Sequence, residues 1–233
     1  MVRRLSGRLW GVAAGWLFPP RCVGCNQLGE IWCADCQARV EVLAPPLCPQ
    51  CSYPLSDPAA SCMACERVAF AFSAARAWGR YAGVLRRAIL KLKHKRNLAL
   101  AAQLSRPLAA IYPPDWQADC VLPVPLSARR LAQRGYNPVQ LLAAPLAQQL
   151  QLPLLTGTLV RSRDTRPQME LQMQQRWANV QDAFGLQGQA VQGQRVLLVD
   201  DIMTTGATVQ AAARTLLAGG ARSVHVLVLA RTL

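Results

Sequence analysis

Eight of the nine cysteines in this 233-residue chain fall in four Cys-x2-Cys pairs, Cys22/Cys25, Cys33/Cys36, Cys48/Cys51 and Cys62/Cys65, all within 44 residues. A Cys-x2-Cys turn places two thiolates on one metal ion, and two such turns complete a closed tetrahedral set of four sulfurs. Disulfides would not favour so regular a spacing, and the remainder of the chain holds only Cys120. The pattern points to two structural zinc ions. Sequential pairing puts Cys22, Cys25, Cys33 and Cys36 on one ion and Cys48, Cys51, Cys62 and Cys65 on the other. Crossed pairing, a single zinc with spare thiols, and disulfide or iron–sulfur chemistry are the alternatives. Neither quartet leaves an open coordination position, so the metal supplies folding energy to a segment too short to bury its own core.

Charge sets a second bound. The chain carries 26 Lys plus Arg against 12 Asp plus Glu, a net +14, which implies an anionic partner. From Arg67 to Pro114, counting Arg67, there are ten Lys or Arg residues and no acidic one. Arg80, Arg86, Arg87, Lys91, Lys93, Lys95 and Arg96 make a local positive surface, and Arg129, Arg130 and Arg134 follow downstream; such surfaces hold nucleic-acid phosphate in a salt-sensitive, sequence-independent way. No stretch approaches the eighteen apolar residues of a membrane span, so stable membrane insertion is not expected. Residues 1–18 read as a short amphipathic segment that packs back on the protein, with transient membrane contact as the alternative.

Beyond the cysteines the pattern becomes α/β. Residues 70–78 alternate as a strand, and residues 81–92 place Val84, Leu85, Ala88, Ile89 and Leu92 at helical spacing. A second helix is expected over 99–110, strands at 120–124, 158–160, 195–199 and 224–229, and helices at 138–150 and 208–217. Short apolar strands alternating with helices indicate a mostly parallel sheet covered on both faces, whose ligands bind beyond the strand C-termini. Cys120 and His225 lie in strands and read as buried structural residues. His94, among cations, reads as surface. Trp177 and Phe184 read as packing, while Tyr136 is balanced between stacking on a base and capping the core.

The segment Arg195-Val-Leu-Leu-Val-Asp-Asp-Ile-Met-Thr-Thr-Gly-Ala-Thr208 lies at such an end. An apolar strand delivers Asp200 and Asp201, and the chain then turns through Thr204 to Thr208 into a helix. Amides at the helix start, the conformational latitude of Gly206 and the threonine hydroxyls form an anion cradle. Two carboxylates facing that anion would repel it. They make sense accepting hydrogen bonds from sugar hydroxyls, or meeting a magnesium ion that also holds phosphate oxygens.

This segment resembles the motif with which type I phosphoribosyltransferases bind 5-phosphoribosyl 1-diphosphate (PRPP). The resemblance implies that Asp200 and Asp201 hold the ribose hydroxyls, with Mg²⁺, and that Thr204, Thr205, Gly206, Ala207 and Thr208 hold the 5-phosphate. It puts the Val124-Pro125 turn in the place of the diphosphate loop. Enzymatic members usually have a small glycine-containing turn there, and prolines leave fewer amides. Residues 161–177 occupy the position of the superfamily's lid, so Arg161 and Arg163, with Arg166, would close over a diphosphate.

Further points follow in order: Tyr81-Ala-Gly, Lys91-Leu-Lys, Val121-Leu-Pro-Val-Pro125, Arg130-Leu-Ala-Gln-Arg-Gly-Tyr-Asn137, and Thr165-x-x-Gln168-x-x-Leu171 with Arg176 and Asn179. With the four cysteine pairs, this order is similar to the ComF/GntX family. The family joins an N-terminal double zinc ribbon, here residues 19–68, to a phosphoribosyltransferase-type α/β domain, here 69–233. The resemblance implies a cytoplasmic protein acting in DNA uptake or natural transformation, with PRPP as ligand and single-stranded DNA, other competence proteins or a second copy of the chain as partners. The alternatives are a working phosphoribosyltransferase on a base, amine or nucleic-acid acceptor, and a scaffold that keeps the fold without turnover.

Overall fold

The computed structural model describes residues 19–162 and 182–233. The expectations for residues 1–18, and for Arg163, Arg166, Gln168, Arg176 and Trp177, lie outside the described residues.

Four strands form one parallel sheet. In spatial order they are β1 (Ala74–Arg80), β6 (Ser223–Arg231), β5 (Arg195–Met203) and β2 (Cys120–Pro123), numbered along the chain. Residues 153–155 run on beside β2, with Val121 bonded to Pro153 and Leu155 at 2.9 Å each. β3 (Leu159–Arg161) belongs elsewhere: it pairs antiparallel with β4 (Phe184–Leu186) in a separate two-stranded ribbon. Sequence alternation finds a strand but not its partner, and β4 is too short to carry a period of its own.

Two short helices, α1 (Ala34–Ala38) and α2 (Met63–Arg67), lie in the cysteine segment, and the longer ones pack on the sheet. Alternation along β5 splits the core in two. Leu197 and Val199 face α3 (Gly83–His94), α4 (Leu98–Ala110) and α6 (Pro138–Leu150), whereas Val196 and Leu198 face α7 (Ala207–Ala218). All four strand residues are fully buried, as a parallel strand covered on both sides requires. α3 buries the expected stripe Val84, Leu85, Ala88, Ile89 and Leu92. Asn97 caps α4 by accepting the Leu100 N–H at 2.9 Å, and Asn137 caps α6 ahead of Pro138, whose fixed φ suits the first helical position.

The cysteine segment straddles the β1 edge. Its residues 41–43 pair antiparallel with β1, through Leu43 N–H to Trp78 C=O at 2.9 Å and Arg80 N–H to Glu41 C=O at 2.8 Å. Cys22, Trp32, Cys36 and Val40 join the core on the α3 side, and Cys48 and Cys51 join the α7 side. Trp32 meets Trp78 edge-on at 6.0 Å. Arg231, at the end of β6 and only 2 % exposed, donates to the Cys51 carbonyl at 2.8 Å and lies over the Tyr53 ring.

Two boundaries differ from expectation by four residues. β1 starts at Ala74 rather than near residue 70, because Gln210 on α7 holds the preceding segment: its Oε1 accepts the Ala71 N–H at 2.6 Å and its Nε2 donates to Ala69 C=O at 3.1 Å. β5 runs four residues past Val199, because β6 is long enough to pair with it to the end, Met203 opposite Arg231.

Candidate functional site

At the C-terminal end of the sheet a cavity of about 590 Å³ opens between the end of β5, the start of α7, the end of α3, the α5 helix (Ala128–Arg134) and β3. The sequence announces no helix at 128–134; it forms under a Ser127 cap and ends at Gly135, whose φ of 75° is in the left-handed region. Asp200, Asp201, Thr204 and Thr208 line one wall, and Arg130, Arg134 and Arg161 line others, with Val124 and Pro125 between. Thr205, Gly206 and Ala207 form the turn behind: Gly206 caps α7 with φ 83°, and Thr205 Oγ1 accepts the Ala207 N–H at 3.4 Å.

The two acids leave the strand on opposite sides, as adjacent strand residues must. Asp201 shares the face of Val199 and meets Lys93 of α3, Nζ to Oδ2 at 2.9 Å. Asp200 accepts the Asp201 N–H at 2.8 Å on Oδ1. Burial, with the adjacent Asp201 carboxylate, pushes Asp200 up to about 7, against the pull of that hydrogen bond and of Lys93 and Arg161. Burial works against the Lys93 ammonium, but the Asp201 and Asp200 carboxylates outweigh it and its pKa is raised.

Lys93 is the residue that sequence reasoning misplaced, by grouping it with the surface cations. Its signal was present: it stands four positions after buried Ile89 and next to buried Leu92, on the border of the apolar stripe. Arg80, Arg86, Arg87, Lys91, Lys95 and Arg96 are all exposed, with Arg80 in an ion pair with Glu41 at 3.2 Å. Arg129 is exposed and does not line the cavity, unlike Arg130 and Arg134. His94 is exposed at the cavity rim.

The Val124-Pro125 turn is held from behind. Val124 N–H donates to Val199 C=O at 2.9 Å, and Val124 C=O accepts from Asn137 Nδ2 at 3.0 Å. Proline has no N–H. Neither residue therefore turns an amide to the cavity. Tyr136 is tied to structure: its hydroxyl donates to Leu92 C=O at 2.8 Å, fixing the end of α3 beside the site.

Away from the cavity, the cysteines gather into the two sequential quartets, with all four sulfurs of each set within 4.8 Å of one another. Cys22 and Cys33 stand 3.5 Å apart, and Cys48–Cys65 and Cys51–Cys62 both 3.6 Å apart. A zinc ion with ligands at about 2.3 Å demands sulfur separations of roughly 3.8 Å, so both quartets fit structural zinc. Arg39 donates to Cys36 Sγ at 3.2 Å, a contact that favours the thiolate. Cys120 is buried, and burial pushes its thiol up to about 11, an inert state. His225 stacks on Trp116 at 4.6 Å.

Comparison with known proteins agrees with this division. Residues 13–66 match the double zinc ribbon domain and residues 140–233 the phosphoribosyl transferase domain. The chain is 36 % identical over 193 residues to the DNA utilization protein YhgH of Salmonella typhimurium, covering 80 % of this chain and 85 % of that one. It is 28 % identical over 223 residues to competence protein F of Haemophilus influenzae (91 % and 96 % covered), and 26 % over 211 residues to competence protein ComFC of Bacillus subtilis (86 % and 84 %). Among solved structures, the glutamine phosphoribosylpyrophosphate amidotransferase from B. subtilis matches 59 % of this chain and 30 % of its own, at 20 % identity and a TM-score of 0.41. Among the described residues no helix is long and apolar enough to cross a membrane. With an N-terminal pair of four-cysteine clusters, a parallel α/β sheet and these relatives, the chain belongs to the ComF/GntX family of phosphoribosyltransferase-type proteins with a double zinc ribbon.

Proposed function

We propose that the cavity binds a 5-phosphoribosyl group, as presented by PRPP, and that the exposed basic face of α3 holds single-stranded DNA, in a protein that handles DNA entering the cell. One observation carries the reading: Asp200, Asp201, Thr204 and Thr208 line the same cavity as Arg130, Arg134 and Arg161. Carboxylates are the acceptors that sugar hydroxyls need, threonines and the start of α7 suit the phosphate, and arginine forks suit its remaining oxygens. Arg86, Arg87, Lys91, Lys95 and Arg96 on or just past α3 supply the phosphate track, and relatives named for DNA utilization and competence support DNA as the partner.

Binding is favoured over rapid turnover by the Val124-Pro125 turn. Ionising a ribose–diphosphate bond needs the leaving group's charge to be held, and that turn has no N–H left to hold it. The test is calorimetric titration of the zinc-loaded chain with PRPP and with ribose 5-phosphate, repeated on an Asp200→Asn, Asp201→Asn double variant. Binding by the wild type and its loss in the variant are expected. Equal binding by both proteins would remove the assignment of the sugar to this acid pair.

A further inference from the structure

Magnesium is the cation that the PRPP-motif resemblance implies for the acid pair, and the residues present do not fit it. Mg²⁺ takes oxygen ligands at about 2.1 Å in a near-octahedral shell. One oxygen of each carboxylate is already committed: Asp201 Oδ2 to the Lys93 ammonium at 2.9 Å, and Asp200 Oδ1 to the Asp201 N–H at 2.8 Å. The ammonium paired with the Asp201 carboxylate sets positive charge where the dication would bind. The helix that carries Lys93 is seated by buried Ile89 and Leu92, and the Leu92 carbonyl accepts from the Tyr136 hydroxyl, which keeps the Lys93 backbone beside the acid pair. Among the described residues, the lining adds Arg130 and Arg134 to Lys93 on the positive side, against the two carboxylates. That balance attracts a phosphate dianion and repels a divalent cation.

Resting on the phosphoribosyl reading of the same cavity, we propose that Lys93, rather than a divalent cation, is the counter-ion of the acid pair, so that a ribose 5-phosphate group is bound without magnesium. Lys93 neutralises Asp201 and leaves the second oxygen of each carboxylate to accept from the ribose hydroxyls. The preferred ligand is a ribose 5-phosphate monoester, which brings no metal of its own, and not a magnesium-held diphosphate.

The experiment is titration of the full zinc-loaded chain with ribose 5-phosphate, in buffer passed over a chelating resin and again with magnesium added. Affinities agreeing within about twofold are expected, whereas binding that appears only with magnesium, or tightens by about tenfold or more, overturns the proposal while leaving the phosphoribosyl reading in place. No binding in either buffer removes that reading and the proposal with it. Lys93→Met is expected to weaken metal-free binding by about tenfold or more and to acquire a Mn²⁺ site visible by electron paramagnetic resonance, while Lys93→Arg retains metal-free binding. Unchanged metal-free affinity in Lys93→Met would overturn the assignment. If melting and zinc content show that variant to be unfolded, the wild type decides: Mn²⁺ uptake that disappears in Asp201→Asn contradicts the proposal, and no uptake upholds it.

Discussion

The ring of Phe70 closes over Gly206: its Cε1 lies 2.8 Å from the point that a Cβ on Gly206 would occupy, with Met203 Cε at 2.9 Å. Phe70 stacks on Phe72 at 4.6 Å, and the segment carrying it is clamped to α7 by Gln210. The linker leaving the second cysteine quartet is thus part of the support for the candidate phosphate turn.

Gly206→Ala is therefore expected to do more than add a methyl group. The φ of 83° is in the left-handed region, and the methyl group would press on a ring already stacked on its neighbour. A stability loss of about 1–3 kcal/mol is expected from strain and contact together. Thermal melting measures it, and titration with ribose 5-phosphate should show weakened binding even at temperatures where the variant is folded.

Asp200 makes stability depend on pH in an unusual direction for a carboxylate. Its folded-state pKa, about 7, lies above its ordinary value of 3.8, so the native state holds the proton more tightly than the unfolded chain. Its favourable contribution is complete below the ordinary value and is lost as pH rises through 7, on the order of 4 kcal/mol across the window. Asp200→Asn should remove that slope. Denaturant unfolding of both proteins at about pH 6 and pH 8 tests this: the stability gain of the variant over the wild type should be larger at the higher pH.

Removal of zinc should unfold more than the ribbon. Cys22 and Cys36 pack with α3, Cys51 packs with β1 and α7, and Arg231 holds the Cys51 backbone. A chelator is expected to lower the melting temperature of the whole chain in one transition, followed by the far-UV circular dichroism of its helices and sheet. An unchanged sheet transition after complete loss of zinc would show that the shared core does not couple the two parts.

Binding of single-stranded DNA should weaken with salt at a slope set by the number of phosphates engaged, roughly 0.7 per contact on a log–log plot. Arg86→Ala, Arg87→Ala and Lys91→Ala together should reduce that slope by about two and leave ribose 5-phosphate affinity unchanged, since these exposed residues do not line the cavity. Fluorescence anisotropy at several salt concentrations measures it.

Much of this protein was legible one residue at a time. Cysteine spacing points to thiolates presented two at a time, because a Cys-x2-Cys turn can place both on one ion, while the fold decides which pairs share one. The apolar run at 196–199 is a strand buried on both faces because nothing polar interrupts it, and the Asp-Asp and Thr-Thr-Gly-Ala-Thr letters name their chemistry through their donors and acceptors. Local chemistry of this kind travels with the residue.

What the letters could not carry is which elements meet. Lys93 looks like one more cation until α3 is laid against the end of β5 and its ammonium reaches Asp201. Residues 158–160 read as another sheet strand until β4 claims them, and Phe70 reads as strand until Gln210, far along the chain, holds its neighbours Ala69 and Ala71. Each of these is a contact between segments distant in sequence, decided by packing and burial that no local period records. The charge state of Asp200 belongs with them, since it is set by the water excluded from around it once the cavity has formed.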